Sequence, residues 1–497
     1  MASLSSHILV LPYPAQGHIP PLIGFSVALA DRGALVTLVN IASIDSRIRE
    51  RWTWPRELEG SIRFESLDFP YEIPQGYDAS CHVDQGNFVQ ALRGAQVPFE
   101  DLLREMLNRG ERVSCIVADY LWGWHVESAK KFGVSCASYW PGSATWINVH
   151  YHLPLLISAG EAPIKGKICL NSSLVTIYVD GDERTISYVP GLSPTKLKDF
   201  PYYARMEFKG TLEYLMQEQE KTLRNFDDNS CLLINSAEEL EPDAFQSLRK
   251  VFGEKCTGVG PLFNLDPART RLCHSLREED GGCIAWLDTQ APKSVLYISF
   301  GSVVALPDLD LQELSKAVLE MERPFLWVLP PEQKNESTKE ITEAARASSF
   351  TRGRIVSWAP QLQVLSHASV GGFLSHCGWN SVLEAVTNGV PVLGWPCAIE
   401  QNLNCKVLVH DWKAGLKIDK AEKDGIKAAI ENLMGGSWLD RAQELREVVL
   451  KSVKARGLLS DPVKYTPFLS LWMITRSLAG VGNLSLKTIK VCLLFGP

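Results

Sequence analysis

Short apolar runs rich in β-branched residues alternate with longer amphipathic stretches in two separate series, and this rhythm restricts the chain more than any other feature it has. The first series covers residues 7–11, 20–32, 34–40, 113–119, 122–132 and 134–140. The second covers 294–300, 309–322, 324–329, 354–358, 370–376 and 390–395. The short runs read as strands and the amphipathic stretches between them as helices. Repeated βα units imply a parallel sheet wrapped by helices. Two series therefore predict an α/β protein of two doubly wound domains, 1–258 and 283–456. They are joined by the polar, weakly periodic stretch 259–282, which holds Pro261, Pro267 and the acidic run Glu278 to Asp280. In open α/β sheets ligands bind beyond the carboxyl ends of the strands, so two facing sheets would enclose a cleft lined by the residues that follow each strand.

Composition narrows the classes of partner. The 50 Lys+Arg against 57 Asp+Glu leave a net charge of −7, with no basic excess to displace phosphate counterions, which argues against nucleic acid as the main partner. No uncharged apolar run approaches the roughly 18 residues of a spanning helix, so stable membrane insertion is not expected. The 12 cysteines form no C-x-x-C pair and read as reduced, mostly buried thiols. Residues 1–6 carry no basic n-region, and Pro12 and Pro14 interrupt the first apolar run. No signal peptide is evident, and a cytoplasmic address is expected.

The most informative stretch is 358–401, WAPQLQVLSHASVGGFLSHCGWNSVLEAVTNGVPVLGWPCAIEQ. Polar groups gather where its strands stop: Ser375, His376, Cys377, Gly378, Trp379, Asn380 and Ser381 follow Phe373 and Leu374. Gly378 lets backbone approach a ligand. Asn380 and Ser381 would open a helix whose free N–H groups favour an anion such as a diphosphate, without a Walker lysine. Glu384, four residues past Asn380 on the same helical face, is placed to take two ribose hydroxyls. Glu400 and Gln401 follow the next strand, where they could hydrogen-bond a sugar.

This 44-residue stretch resembles, at nearly every diagnostic position, the plant secondary-product glycosyltransferase box, the donor-binding signature of plant UDP-glycosyltransferases. PYPAQGH near the start, CIVADYLWGW, WLDTQAPKSVLYISFGS and RPFLWV agree with it. The resemblance implies the GT-B fold, two Rossmann-like domains facing a cleft, with the acceptor bound mainly by the first and UDP-sugar by the second. It implies that Trp358 stacks on uracil, Ala359 bonds it through backbone, and Gln361 and Glu384 hold the ribose. Ser302, His376, Asn380 and Ser381 would hold the diphosphate, while Trp379, Glu400 and Gln401 address the sugar. Gln at the end of the box usually accompanies glucose as donor in the family. Outside this context Trp358 reads more readily as a core aromatic, and His376 as a capped or core histidine.

His18, just after the first strand, would face the cleft at the start of the first helix, where an imidazole can accept a proton from a hydroxyl at neutral pH. Asp119, at the end of the run 113–119, is placed to orient such a base and stabilise its protonated form. Local sequence alone leaves a structural turn histidine and a helix N-cap open for the pair. The family uses a His and an Asp at these positions as its catalytic dyad. The implied reaction is an inverting, metal-independent displacement in which His18 deprotonates the acceptor and UDP departs from the opposite face. No cofactor or metal is implied, with UDP-glucose a co-substrate. The triplets Asp180-Gly181-Asp182 and Asp308-Leu309-Asp310 read as a turn and a helix start rather than metal sites. Ser143 is a further candidate contact to the donor sugar. Phe88 and the segments 140–151 and 200–203 are candidate walls for a small lipophilic acceptor, although aromatic clusters are more often core.

After about Arg456 the resemblance ends. Residues 457–497 hold one acid, Asp461, and many apolar residues, where family members usually carry a closing amphipathic helix. This atypical tail suggests an altered transcript or gene-model end. The sequence therefore predicts a UDP-glucose-dependent transferase acting on a hydroxyl, or a carboxyl, of a small lipophilic acceptor, with a catalytically impaired UDP-sugar-binding protein as the rival.

Overall fold

The computed structural model describes residues 6–51, 56–69, 85–162, 183–201, 220–224, 226, 230–262, 275–302, 306–346, 351–418 and 420–455. The tail 457–497, the triplet 180–182, the Phe88 side chain and residues 202–203 lie outside them.

Fifteen strands occur among the described residues: β1 His7–Leu11, β2 Leu35–Ile41, β3 Ile62–Leu67, β4 Val113–Asp119, β5 Ser135–Trp140, β6 Thr185–Ile186, β7 Thr195–Lys196, β8 Ser230–Ile234, β9 Cys256–Gly258, β10 Val295–Ser299, β11 Phe325–Val328, β12 Gly353–Val356, β13 Val370–Ser375, β14 Val392–Gly394 and β15 Gly415–Lys417. They form a seven-stranded sheet ordered β3-β2-β1-β4-β5-β8-β9, a six-stranded sheet ordered β12-β11-β10-β13-β14-β15, and the hairpin β6-β7. Every pairing in the two large sheets is parallel. All five residues of β1 and all five of β10 are buried, as central strands covered on both faces must be.

Both sheets reverse direction at their first strand. β1 lies between β2 and β4, and β10 lies between β11 and β13. Chain leaving β1 and β4, and chain leaving β10 and β13, therefore opens a crevice at the carboxyl edge of each sheet. The residues there are Tyr13 to His18 and Asp119 to Trp122 in the first half, and Phe300 to Ser302 and His376 to Ser381 in the second.

One helix differs from its sequence expectation. The stretch 122–132 is helical only over His125–Phe132, because Asp119 caps a short 3-10 turn, Tyr120–Trp122, and Gly123 at φ 48° breaks the chain's direction before the helix starts. Asp308 and Asp310 stand in the first turn of the helix Asp308–Glu320, where carboxylates complement the helix dipole. Among the described residues no group of His, Cys, Asp and Glu is arranged to hold a metal ion, and no helix is long and apolar enough to cross a membrane.

The halves are docked by a seam in which indole and amide N–H groups of the second half donate to main-chain carbonyls of the first. Trp379 Nε1 donates to the Asn235 carbonyl (2.7 Å), Trp412 Nε1 to Leu240 (3.0 Å) and Asn380 Nδ2 to Gly17 (2.7 Å). Ala237 and Leu240, just past β8, pack in the core of the second half, and Leu403 packs in the core of the first. An ion pair, Lys417 to Asp199 at 3.0 Å, closes the seam on the side of β15.

Candidate active site

A cavity between the two carboxyl edges is lined by Gly17, His18, Gly142 and Trp146 from the first half, and by residues from Tyr297 to Gln401 of the second. His18 stands at the N-cap of the helix Ile19–Ala30. Its Nδ1 lies 2.7 Å from Asp119 Oδ2, and Asp119 is fully buried, with Oδ1 accepting from the Leu121 N–H at 3.0 Å. Both local readings of Asp119 thus hold at once: one oxygen caps the turn and the other faces the imidazole. An ionised carboxylate only accepts, so His18 Nδ1 carries the proton and Nε2 is left as the basic nitrogen. Tyr13 packs against the ring at 5.1 Å between centroids.

The anion cradle is built around the start of the helix Trp379–Asn388. Gly378 at the N-cap offers it no side chain, and no acid stands in its first turn, so its first N–H groups face a cavity lined by Gly378, Trp379, Asn380 and Ser381. The His376 ring fills the space beside both Gly378 and Gly301. A Cβ at either would meet the ring at 2.4 Å or 2.7 Å, and Gly301 also adopts φ 73°. Burial pushes the His376 pKa down to about 4, opposed by a hydrogen bond to the Ser299 backbone. Its Nδ1 is buried with no partner of good hydrogen-bond geometry among the described residues, and its Nε2 edge lies against Gly301 and Gly378. Cys377 at φ 62° and Ile399 at φ 56° place two non-glycine residues in the left-handed region immediately before cavity residues, strain of the kind that accumulates at ligand-binding turns.

Beside the cradle, Gln361 is a hub. Its Oε1 accepts from Tyr297 Oη at 3.2 Å, while its Nε2 donates to Ser381 (2.9 Å) and to Glu384 (2.5 Å). Burial raises the Glu384 carboxyl to about 7, with the Gln361 bond opposing and Glu279 adding to the rise. Glu400 is also raised to about 7 by burial and accepts from Asn404 at 3.2 Å. Gln401 Oε1 accepts from the Cys397 and Ala398 N–H groups at 2.9 Å each, so its Nε2 is the polar group it can offer a ligand. Trp358 is half-buried, with the Arg277 guanidinium 5.0 Å from its ring centre, and its carbonyl is held by the Asp280 N–H at 2.9 Å. Ala359 and Ser302 line the same cavity.

Three candidates are placed less directly. The Trp379 indole N–H is engaged by Asn235, and its backbone N–H at the helix start faces the Glu400 carboxylate. Ser143 caps the helix Ala144–Tyr151 by accepting from the Trp146 N–H and donates to Asn404 Oδ1 at 3.3 Å. Its hydroxyl reaches the opposite half but lies behind the cavity wall. Of the aromatic segments, Trp146 lines the cavity, whereas Trp140 and Phe200 are fully buried core.

Sequence reasoning passed over Tyr297, Glu279 and Asn235. Tyr297 sits in an all-buried strand whose pattern shows only core. Glu279 belongs to an acidic run that reads as linker, and Asn235 ends a strand that no motif marks.

Facing Rossmann-like halves with an acid-supported base on one edge and an anion cradle on the other define a GT-B glycosyltransferase. Comparison with known proteins places it further. The family described as UDP-glucoronosyl and UDP-glucosyl transferase matches residues 272–445, and a glycosyltransferase N-terminal domain matches 5–152. UDP-glycosyltransferase 85A3 of Arabidopsis thaliana is 31% identical over 471 residues, covering 92% of each chain. Linamarin synthase 1 of Manihot esculenta is 29% identical, covering 91% of this chain and 94% of its own. Among solved structures, Glycyrrhiza uralensis UGT73P12 with glycyrrhetinic acid 3-O-monoglucuronide superposes with a TM-score of 0.78 at 24% identity, covering 99% of both chains. An anthocyanidin 3-O-glucosyltransferase with UDP gives 0.73 at 23% identity, over 95% of this chain and 99% of its own. The chain belongs to the plant UDP-glycosyltransferases, inverting transferases of the GT-B fold.

Proposed function

We propose that this protein transfers glucose from UDP-glucose to a hydroxyl, or a carboxyl, of a small lipophilic acceptor, with no metal ion required. The observation that carries the reading is that the His18–Asp119 pair and the uncapped helix start at Gly378 face one cavity from opposite halves. Relatives named linamarin synthase and 7-deoxyloganetin glucosyltransferase support a small aglycone.

In this mechanism His18 Nε2 takes the proton of the acceptor hydroxyl as its oxygen attacks the anomeric carbon, and Asp119 holds the resulting imidazolium. A base so placed contributes about 10²–10⁴-fold. The bond from the anomeric carbon to the diphosphate oxygen breaks on the opposite face. The growing charge falls on the N–H groups of the helix start, the Asn380 amide, Ser381 and His376, donors fixed in place before the reaction begins. Trp358 and Ala359 hold the uracil, Gln361 and Glu384 the ribose, Ser302 the diphosphate, and Glu400 and Gln401 the sugar hydroxyls.

The test is UDP release by the full-length protein with UDP-glucose and a panel of flavonoid, phenylpropanoid and terpenoid alcohols, with chelator present. Acceptor-dependent release supports the reading. Tight UDP-glucose binding without release to any acceptor would sink it in favour of an inactive binder, and release only after metal is restored would remove the metal-independent part.

A further inference from the structure

We infer that Asn235 is a positioning residue for donor binding, one that fixes which end of the Asn380 carboxamide faces the diphosphate. The inference rests on the reading of Asn380 as a diphosphate ligand and adds to it a residue from the opposite half of the molecule.

A carboxamide presents a hydrogen-bond donor at one end and an acceptor at the other. Turned one way Asn380 offers N–H to an anion, and turned the other way it offers a carbonyl oxygen that repels it. Two main-chain carbonyls settle the matter, that of Pro141 through Asn235 and that of Gly17 by direct contact with Asn380. The Pro141 carbonyl can only accept, and it lies 3.4 Å from Asn235 Nδ2, so this end of Asn235 is its NH₂. The same Nδ2 lies 3.3 Å from Asn380 Oδ1, so the oxygen of Asn380 is turned toward Asn235. The Gly17 carbonyl then receives Asn380 Nδ2 at 2.7 Å, which leaves the second hydrogen of that nitrogen for a cavity that Asn380 lines.

Asn235 is held through its backbone, while its Oδ1 has no hydrogen-bond partner among the described residues. It is fully buried, its N–H donates to the Trp140 carbonyl at 2.8 Å, and its own carbonyl receives Trp379 Nε1. Gly260 makes room for it, since a Cβ there would stand 2.5 Å from both the Asn235 carbonyl carbon and its Oδ1. Gly17 adjoins His18, so the chain Pro141, Asn235, Asn380, Gly17 ties the donor's cradle to the turn that carries the base.

UDP titration calorimetry on the full-length protein tests this in four forms: unmodified, Asn235→Leu, Asn380→Ala and the double variant. Leucine is close to asparagine in size and carries no charge, so it acts by removing the donor. The expected result is that Asn380→Ala weakens UDP, and that Asn235→Leu weakens it about fivefold or more, the scale of one hydrogen bond. In the Asn380→Ala background, Asn235→Leu then changes the Kd by less than about twofold, because sites acting through one group are not additive. Equal losses in both backgrounds, or no loss from Asn235→Leu in either, would overturn the inference while leaving Asn380 as a ligand. If Asn380→Ala binds UDP like the unmodified protein, the underlying reading fails as well. Should Asn235→Leu lower the Tm so far that binding cannot be read, Asn235→Ala is measured in the same two backgrounds and judged by the same outcomes.

Discussion

The two halves share one topology and use its crevice for opposite chemistry. In the second half the chain turns from β13 into a helix whose cap is Gly378, and the bare N–H groups there invite an anion. In the first half the helix after β1 begins Ile19, Pro20, Pro21, and the two prolines have no N–H to give. A phosphate would find few donors at that position, and His18 occupies the cap instead. The difference lies in a few residues at one helix start, and on the proposed mechanism it divides a pair of like frames into one that holds the donor and one that activates the acceptor.

The largest test of this division is His18→Ala, expected to lower kcat by about 10³-fold or more while leaving the Kd for UDP within about twofold. Loss of UDP affinity on the same scale would show that the two crevices do not divide the work. Asp119→Asn should follow, lowering kcat by about a hundredfold or more, because an amide no longer demands the proton on His18 Nδ1. A pH–rate profile identical to that of the unmodified protein would remove Asp119 from that role.

On the donor side, Gly378→Ala drives a Cβ toward the His376 ring at 2.4 Å and should raise the KM for UDP-glucose about tenfold, with acceptor KM little changed. Equal effects on both substrates would mean that the cradle and the acceptor site share one frame. Gln401→Ala should weaken UDP-glucose several-fold and spare UDP, which calorimetry on both ligands reads directly.

The smallest effect is that of pH. A Glu384 carboxyl raised to about 7 is protonated below that value, and relative to an unfolded carboxyl near 4.5 its contribution to stability is lost as pH rises through 7. Ribose hydroxyls donating to the carboxylate favour the ionised form. UDP affinity should therefore rise a few-fold between about pH 6 and 8, and Glu384→Gln should remove that component. An unchanged slope in the variant would assign the pH dependence elsewhere.

The comparison also explains what could be read from the sequence. The proposed donor contacts are local: from Trp358 to Gln401 they occupy three successive strand-to-helix turns, after β12, β13 and β14, and only Ser302 and the candidate Ser143 stand outside that stretch. The proposed catalytic pair is split across 101 positions, and nothing in the periodicity around His18 or Asp119 joins them. Family resemblance paired them, and the 2.7 Å contact is a property of β1 lying beside β4. The series of runs 7–11, 113–119, 294–300 and 370–376 gave the central strands, because buried parallel strands are continuous apolar segments. β3, with its alternating charged residues, and the three-residue β9 and β15 carry too little pattern to be seen. Tyr297 and Asn235 stayed hidden because each is a polar group inside a run that the fold buries, recognisable only from its partner across the molecule.

The seam has a consequence for how such a protein can change. Trp379, Trp412 and Asn380 all grip main-chain carbonyls at Asn235, Leu240 and Gly17. Every amino acid offers that oxygen, so at these three points the first half contributes backbone geometry rather than side chains. At those points the first half is left with evolutionary slack: its side chains can be rewritten while the two halves stay docked.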